Sequence, residues 1–381
     1  MIFFFKSIIK CKEAVLLAYM FNGFVEESYV SNYAGNLDIV KLLVERGANI
    51  NTRCKLGKTA LMYAAFNRHT TICKYLIDSG AEINAIDNYA VSNNNLSLVK
   101  YLLESGAEIT SKDIDALVKY LIETGAEINA EDNLGHTALH IAVEKDNLSL
   151  VKYLIETGAE ITSKDNRGRT GLHIAVEKDN LSLVKYLIET GAEITSKDNF
   201  GRTGLHIAVE KGNLLLVKYL IETGAEITSE DNHGSTVLHK AVRKGNLSLV
   251  KYFILSGFDI NSVDNEGWTA LYYAAEAGRL PVLEYLLQQG ADPNRVNRGG
   301  WTALTRVSYY KKWAAVRVLL ESVNTYVNAD GGKTLALAIR EGEWSVVKCL
   351  IEKGALVRES QMNLNNLREF KKKFPNYQFK I

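Results

Sequence analysis

Cysteine is scarce in this sequence, and what there is does not cluster. Cys11, Cys54, Cys73 and Cys349 are scattered, with no CxxC spacing and no Cys/His cluster. That scatter argues against a zinc site or a disulfide framework and for reduced thiols in a cytosol. An excess of charge of either sign is missing too. Lys and Arg number 45 against 44 Asp and Glu, a net of +1, so no global field points to nucleic acid or to an anionic membrane. Long apolar runs are also absent. The N-terminal stretch MIFFFKSIIKCKEAVLLAYMFNGFV is interrupted by Lys6, Lys10, Lys12 and Glu13. Its uncharged remainder, residues 14–25, is 12 residues long and too short to span a bilayer. It reads as a capping helix rather than a secretion or anchor segment, and the chain as soluble and cytoplasmic.

What is present is a period. Hydrophobic residues make up 47% of the chain, which excludes a disordered polymer, and 381 residues exceed a single core unless the fold is a repeat array. A glycine closes a recurring phrase at 47, 80, 106, 125, 158, 191, 224, 257 and 290, then at 354, with steps of 33, 26, 19, 33, 33, 33, 33, 33 and 64. Residues 140–166 and 173–199 are identical, HIAVEKDNLSLVKYLIETGAEITSKDN. Such self-similarity is the signature of stacked helical units. The Asn-Leu-Ser triplets at 95, 147, 180 and 246 belong to this phrase rather than to any glycosylation.

Residues 165–194 show one unit. Asp165-Asn166-Arg167-Gly168 forms a turn in which Gly168 supplies positive φ, and Thr170 is a natural N-cap for a short helix with Leu172, Ala175 and Val176 on its apolar face. Asp179-Asn180 breaks that helix. The spacing then predicts a second helix with Leu181, Val184, Leu187 and Ile188 on one stripe, ended by a left-handed Gly191.

The pattern D-x-x-G-x-T-x-L-H-x-A, followed by L-(L/I)-x-x-G-A and I-N or I-T, resembles the ankyrin repeat. Copies read GKTALMYAA (57–65), GHTALHIAV (135–143), GRTGLHIAV (168–176 and 201–209), GSTVLHKAV (234–242) and GWTALYYAA (267–275). The resemblance implies an all-α solenoid of stacked helix-turn-helix units with short turn fingers. It implies a cap at 1–30, an array of about 11 units over 31–358, and a basic cap or tail at 359–381. The family's proline after the N-cap Thr is replaced by Ala, Gly or Val throughout. Gly171 and Gly204 should therefore cost their helices up to ~1 kcal/mol relative to Ala.

Two copies are shortened. Residues 87–109 lack seven positions and residues 113–128 lack fourteen, most of a first helix. The surviving helices near 95–104 and 114–124 are expected to pair as one improvised unit, with a split of the array as the alternative. Residues 88–125 are expected to be the weakest point.

Little chemistry stands apart from the period. His140, His173, His206 and His239 recur at a spacing of 33, one per unit, and ligands in a row do not converge on a metal; the resemblance makes them structural, bonding between adjacent turns. The triplets in TRCKLGKT (52–59) and VNADGGKT (327–334) have Thr52 and Val327 where a phosphate loop needs glycine. No catalytic constellation, cofactor or metal site is expected, and the chain reads as a non-enzyme.

The resemblance also implies a concave groove lined by turn tips and the exposed side of the first helices. Carried over residue by residue, the candidate partner-binding positions are Arg169, Arg202, Trp268, Tyr273, Trp301, Arg306, Tyr309 and Tyr310. Trp, Tyr and Arg are the types enriched at interface hot spots. For Trp268 and Trp301 the competing reading is framework packing on a neighbouring turn. The expected partner is a protein of unknown identity, with no nucleic acid and no membrane, bound by a monomer. The Ile/Lys/Asn/Tyr-rich, Pro-poor usage resembles ankyrin proteins of giant viruses and obligate intracellular bacteria. The alternatives are a host-directed adaptor acting through its tail, a regulatory subunit of an enzyme, and a degenerate repeat product without a specific partner.

Overall fold

The computed structural model describes residues 37–45, 47–52, 59–66, 69–82, 118–119, 122–322, 324–329, 332–356 and 358–378. The N-terminal cap at 1–30, the shortened copy at 87–109, the start of that at 113–128 and most of the triplet segment at 53–58 lie outside the described residues. Helices and turns make up the described residues, with one isolated β-bridge between Val263 and Thr269. Among these residues no helix is long and apolar enough to cross a membrane.

The chain divides into two compact units, Met1–Glu193 and Ile194–Ile381. The boundary falls between two full copies, not in the shortened ones. The first unit contains α1 (Leu37–Glu45), α2 (Ala60–Phe66), α3 (Thr70–Asp78), α4 (Ala138–Glu144), α5 (Leu148–Glu156), α6 (Gly171–Glu177) and α7 (Leu181–Glu189). The second begins with α8 (Gly204–Lys211), α9 (Leu214–Glu222), α10 (Val237–Lys244), α11 (Leu247–Leu255), α12 (Ala270–Glu276) and α13 (Leu280–Gln288). It continues with α14 (Ala303–Tyr309), α15 (Trp313–Glu321), α16 (Lys333–Glu341), α17 (Trp344–Glu352) and α18 (Leu364–Lys373).

Each unit is a stack of helix-turn-helix repeats. In the second, the first helices α8, α10, α12, α14 and α16 lie side by side, and α11, α13, α15 and α17 form a row behind them. Packing explains the burial of a first helix. In α6 every residue from Gly171 to Val176 is buried, His173 and Ile174 included, a wider face than the sequence spacing predicts. α6 packs on α4 and on α7, and only its last residue, Glu177, is exposed. In α7 the buried stripe is Leu183, Val184 and Leu187, while Leu181 and Ile188 are half-buried. The expected stripe is therefore displaced at both ends. Leu181 is the first helical residue, and its Cβ leans toward the helix start and out of the packed layer. Each fully buried leucine contributes roughly 1.5–3 kcal/mol.

Local signals set the boundaries. Thr170 is extended (φ −90°, ψ 171°) and forms a reciprocal capping box with His173. Asp179 turns the chain with φ 62°, and Asn180 caps α7 by accepting the Leu183 N–H at 2.9 Å. Fingers are tied to their neighbours through the backbone: Asn232 donates its N–H to Phe200 O at 3.0 Å, and Asn265 donates to His233 O at 3.0 Å. The next finger then presses on Gly201, where φ is +75° and a Cβ would lie 2.4 Å from Asn232 Oδ1. On the second helices, a lysine covers the tyrosine of the following repeat. Lys119 lies 4.9 Å from the Tyr153 ring centroid in the first unit, and Lys218 and Lys251 lie 5.6 and 5.4 Å from Tyr252 and Tyr285 in the second.

At the C-terminal side α18 packs on α16. Phe370 is fully buried, its ring meets Tyr377 edge-on at 5.2 Å, and the Tyr377 hydroxyl donates to Ala355 O at 2.9 Å. The lysine run there shields an aromatic as well, with Lys373 Nζ 4.9 Å from the Trp344 ring.

Candidate functional site

Four turns, one in the first unit and three in the second, are each organised around a buried acid. Asp165, Asp198, Asp231 and Asp264 are each buried. One carboxylate oxygen of each closes its own turn by accepting two backbone N–H groups: Asp165 Oδ1 accepts from Arg167 and Arg169 at 2.9 and 2.8 Å, and Asp264 Oδ1 from Glu266 and Trp268 at 3.0 and 2.9 Å. The other oxygen must find a separate donor, because an unpaired buried carboxylate is costly.

That donor changes from repeat to repeat. Asp165 Oδ2 takes Arg169, with Nε and Nη2 both at 2.8 Å, and Asp198 Oδ2 takes Arg202, with Nε at 2.9 and Nη2 at 2.8 Å. In the next repeat Ser235 replaces the arginine, and Lys240 reaches Asp231 Oδ2 at 2.7 Å from a helix position that is Ile174 and Ile207 in the two preceding copies. In the following one Trp268 replaces it, and the Tyr273 hydroxyl occupies the same helix position and donates to Asp264 Oδ2 at 2.5 Å. Burial works against the Asp165 and Asp231 carboxylates, but the backbone N–H groups with Arg169 and Lys240 outweigh it and hold both below the usual range. Burial and the adjacent Asp264 carboxylate push the Tyr273 phenol well up.

Histidine knits the same turns together. Thr203 donates its N–H to His206 Nδ1 at 3.2 Å, so Nε2 carries the proton and donates to Ser235 O at 3.3 Å in the next turn. His239 repeats this with Trp268 O at 3.3 Å, and His140 with Arg169 O at 3.2 Å. Burial lowers the pKa of all three.

The turn that begins at position 297 departs from the scheme. Asn297 stands where the others carry aspartate. Its Oδ1 closes the turn on Gly299 and Trp301 N–H at 3.0 and 2.9 Å, so the remaining group is an uncharged amide NH2. Arg306 occupies the helix position of Lys240 and Tyr273 but has no carboxylate to meet. Its guanidinium lies 5.3 Å from the Trp301 ring and 4.8 Å from the Tyr310 ring. Nε is buried and makes no hydrogen bond. Burial pushes the Tyr272 phenol up, while the neighbouring Arg306 hydrogen-bonds it and draws it down.

The matches to known sequences follow the same repeats. A family model described as ankyrin repeats (three copies) matches residues 29–113, 114–198, 155–231 and 205–297. The chain belongs to the ankyrin-repeat family. Similar curated proteins include an ankyrin repeat protein of Acanthamoeba polyphaga mimivirus, 46% identical over 52 residues, which are 14% of this chain and 7% of the relative. The mitochondrial disaggregase of Homo sapiens is 39% identical over 56 residues, 15% of this chain and 8% of that protein. A serine/threonine-protein kinase of Mus musculus is 38% identical over 55 residues, 14% of this chain and 7% of that one. The chain thus spans less than a tenth of these relatives' lengths. Ankyrin repeats are generally protein–protein interaction modules and typically non-catalytic.

Within this ankyrin stack the eight candidate residues fall into distinct settings. Arg169 is in the first unit, bound to Asp165 and to Glu177 at 2.8 Å. In the second unit, Arg202 is bound to Asp198 and to Glu210 at 3.2 Å and lies 5.2 Å from the Phe200 ring. Both guanidiniums are occupied within their own repeats. Trp268 stacks on Tyr272 with centroids 3.7 Å apart, a framework contact, and Tyr273 is spent on Asp264. The structure does bring Trp301, Arg306, Tyr309 and Tyr310 together: Trp301 meets Tyr309 at 5.8 Å and Tyr309 meets Tyr310 at 5.5 Å. Tyr309 is 61% exposed and Tyr310 48%. Sequence reasoning passed over Lys240 and Asn297. Their signal lay in comparing columns of the internal repeat, where a missing arginine and a gained Lys or Tyr occur together. Among the described residues no group of His, Cys, Asp and Glu could hold a metal ion.

Proposed function

We propose that this chain is a non-catalytic protein-binding scaffold whose docking face is the cluster of Trp301, Arg306, Tyr309 and Tyr310. One observation carries the reading. The final positions of α14 and the residue after it hold two exposed tyrosines, where α6 and α8 end in the paired or solvated Glu and Lys of a polar face. Exposed aromatics beside an arginine held between rings are the composition of interface hot spots. Trp268, Tyr273, Arg169 and Arg202 are framework positions at the edge of that reading. The array is taken as 31–358, with caps at 1–30 and 359–381, in a cytosolic monomer without cofactor.

Affinity capture from cytosolic extract tests it, comparing the full chain with Trp301→Ala/Tyr309→Ala/Tyr310→Ala. Circular dichroism and a melting curve establish that the variant is folded. A partner retained by the wild type and lost by the folded variant is the expected result. Equal retention by both would remove this face as the docking site.

A further inference from the structure

We infer that the cluster takes an acidic protein segment, seating an Asp or Glu carboxylate on the Arg306 guanidinium between Trp301 and Tyr310. This rests on the docking face proposed above and names the chemistry of its partner.

Two observations carry it independently. The first is the missing internal anion. In four other turns a buried aspartate meets the donor that the helix or turn supplies, whether Arg169, Arg202, Lys240 or Tyr273. Here the acid is Asn297, and its closing hydrogen bonds orient an NH2 toward the space that a carboxylate oxygen fills elsewhere. A fixed cation is thus left facing two rings and one phenol. Among the described residues it has no ion pair, and its buried Nε–H is unused. A guanidinium offers a planar fork of donors that matches a carboxylate, and partial burial strengthens such a pair.

The second is local charge. Residues 293–320 contain Arg295, Arg298, Arg306, Lys311, Lys312 and Arg317 and no Asp or Glu, in a chain whose net charge is +1. Four of these six are engaged. Lys311 pairs with Glu341 at 2.9 Å, Arg317 pairs with Glu343 at 2.8 Å, Lys312 donates to Glu276 O, and Arg295 donates to Asn261 O at 3.4 Å. Of the other two, Arg306 meets the neutral Tyr272 phenol rather than a carboxylate, and Arg298 is exposed on the adjoining finger. The equivalent stretch one repeat earlier, residues 260–287, has Asp264, Glu266, Glu276 and Glu284 against Arg279 alone. The formal positive excess is therefore larger here than in the preceding repeat, and this is the repeat with the exposed aromatic pair. An acidic side chain flanked by apolar residues complements it, with the carboxylate on Arg306 and its neighbours on Tyr309 and Tyr310.

The test is selection of a displayed random dodecapeptide library on the immobilised full chain, followed by affinities of the enriched synthetic peptides. The variants are Arg306→Gln, Asn297→Asp and Trp301→Ala/Tyr309→Ala/Tyr310→Ala, each checked for folding by circular dichroism. Asn297→Asp restores the acid that the other turns tolerate, so it keeps the fold and neutralises Arg306 from within. The expected result is a consensus with at least one Asp or Glu, binding that weakens at least tenfold in Arg306→Gln and Asn297→Asp, and further weakening as KCl is raised. Binders lacking acid, or equal affinity in both charge variants, would overturn the acidic-segment inference. If the aromatic variant still lost them, the docking face itself would stand. Unchanged binding in all three variants, or no enriched peptide, would remove the docking face along with it. A parallel titration with single-stranded oligothymidylate gives the remaining outcome. Tighter binding to it than to any peptide, lost in Arg306→Gln, would assign the site to phosphate and overturn the inference.

Discussion

Tyr273 donates its hydroxyl to Asp264 Oδ2 at 2.5 Å and so does the work that arginine does for Asp165 and Asp198. A neutral donor has replaced a cation at a buried carboxylate without leaving it unsatisfied. Tyr273→Phe removes that donor and nothing else from the contact. Loss of about 1–3 kcal/mol in a urea melt is expected, the desolvation cost of an orphaned buried acceptor. Asp264→Asn/Tyr273→Phe should recover part of it. A Tyr273→Phe variant as stable as wild type would show that water serves Asp264 equally well.

Lys240 and Ser235 make a reciprocal prediction. Lys240→Ile alone restores the helix residue of the two preceding copies but strands Asp231, and a fall in stability of roughly 1–3 kcal/mol is expected. Adding Ser235→Arg rebuilds the Asp165–Arg169 arrangement and should return most of the loss. The coupling between the two changes, read from a double-mutant cycle, is the quantity to measure. Additive effects would contradict the exchange of donors described here.

Histidine sets an acid limit. Burial is the main cause that lowers His140, His206 and His239 from 6.5, so the folded state favours their neutral form. Their contribution is complete above pH 6.5 and is lost as pH falls below it through the depressed folded values. His136 opposes this within the first unit. Its pKa is raised, chiefly by its hydrogen bond with Asp132, and its share is present at low pH and lost as pH rises through its folded value. Urea midpoints should therefore drop between pH 7.5 and 5.5, and the dependence should be shallower in His206→Gln/His239→Gln. A midpoint that rises on acidification would contradict the neutral, Nε2-protonated assignment.

Two glycines respond in opposite directions to the same change. At Gly171 an added methyl meets Val143 Cγ2 at 3.7 Å and Leu187 Cδ1 at 4.0 Å, ordinary contacts. Gly171→Ala is expected to stabilise by about 0.4–1 kcal/mol through the unfolded chain. At Gly201 a Cβ would stand 2.4 Å from Asn232 Oδ1 at φ +75°, so Gly201→Ala should lower the melting temperature. The paired melting curves decide both.

Much of this was legible in the order of residues. The 33-residue period, the Thr170 cap, the Asp179-Asn180 break and the left-handed Gly191 follow from short-range rules that act within a turn, and each is where the spacing placed it. The failures are long-range. Leu183 was omitted from the buried stripe because only the packed layer decides which residues of an almost wholly apolar helix face inward. That Arg169 and Arg202 pair with Asp165 and Asp198, four positions away, was not anticipated, because no pattern reveals the depth of the turn. Tyr309 and Tyr310 were visible as aromatics; that Arg306 beside them lacks an acid required both the Asn297 geometry and its contrast with Asp264.

A stack of near-identical repeats is chemically a polymer with an addressable end: in the second unit each first helix from α8 to α14 offers its face to the next first helix. What α16 meets instead is α18, a helix unlike the repeats, held there by the buried Phe370 with Tyr377 closing over it.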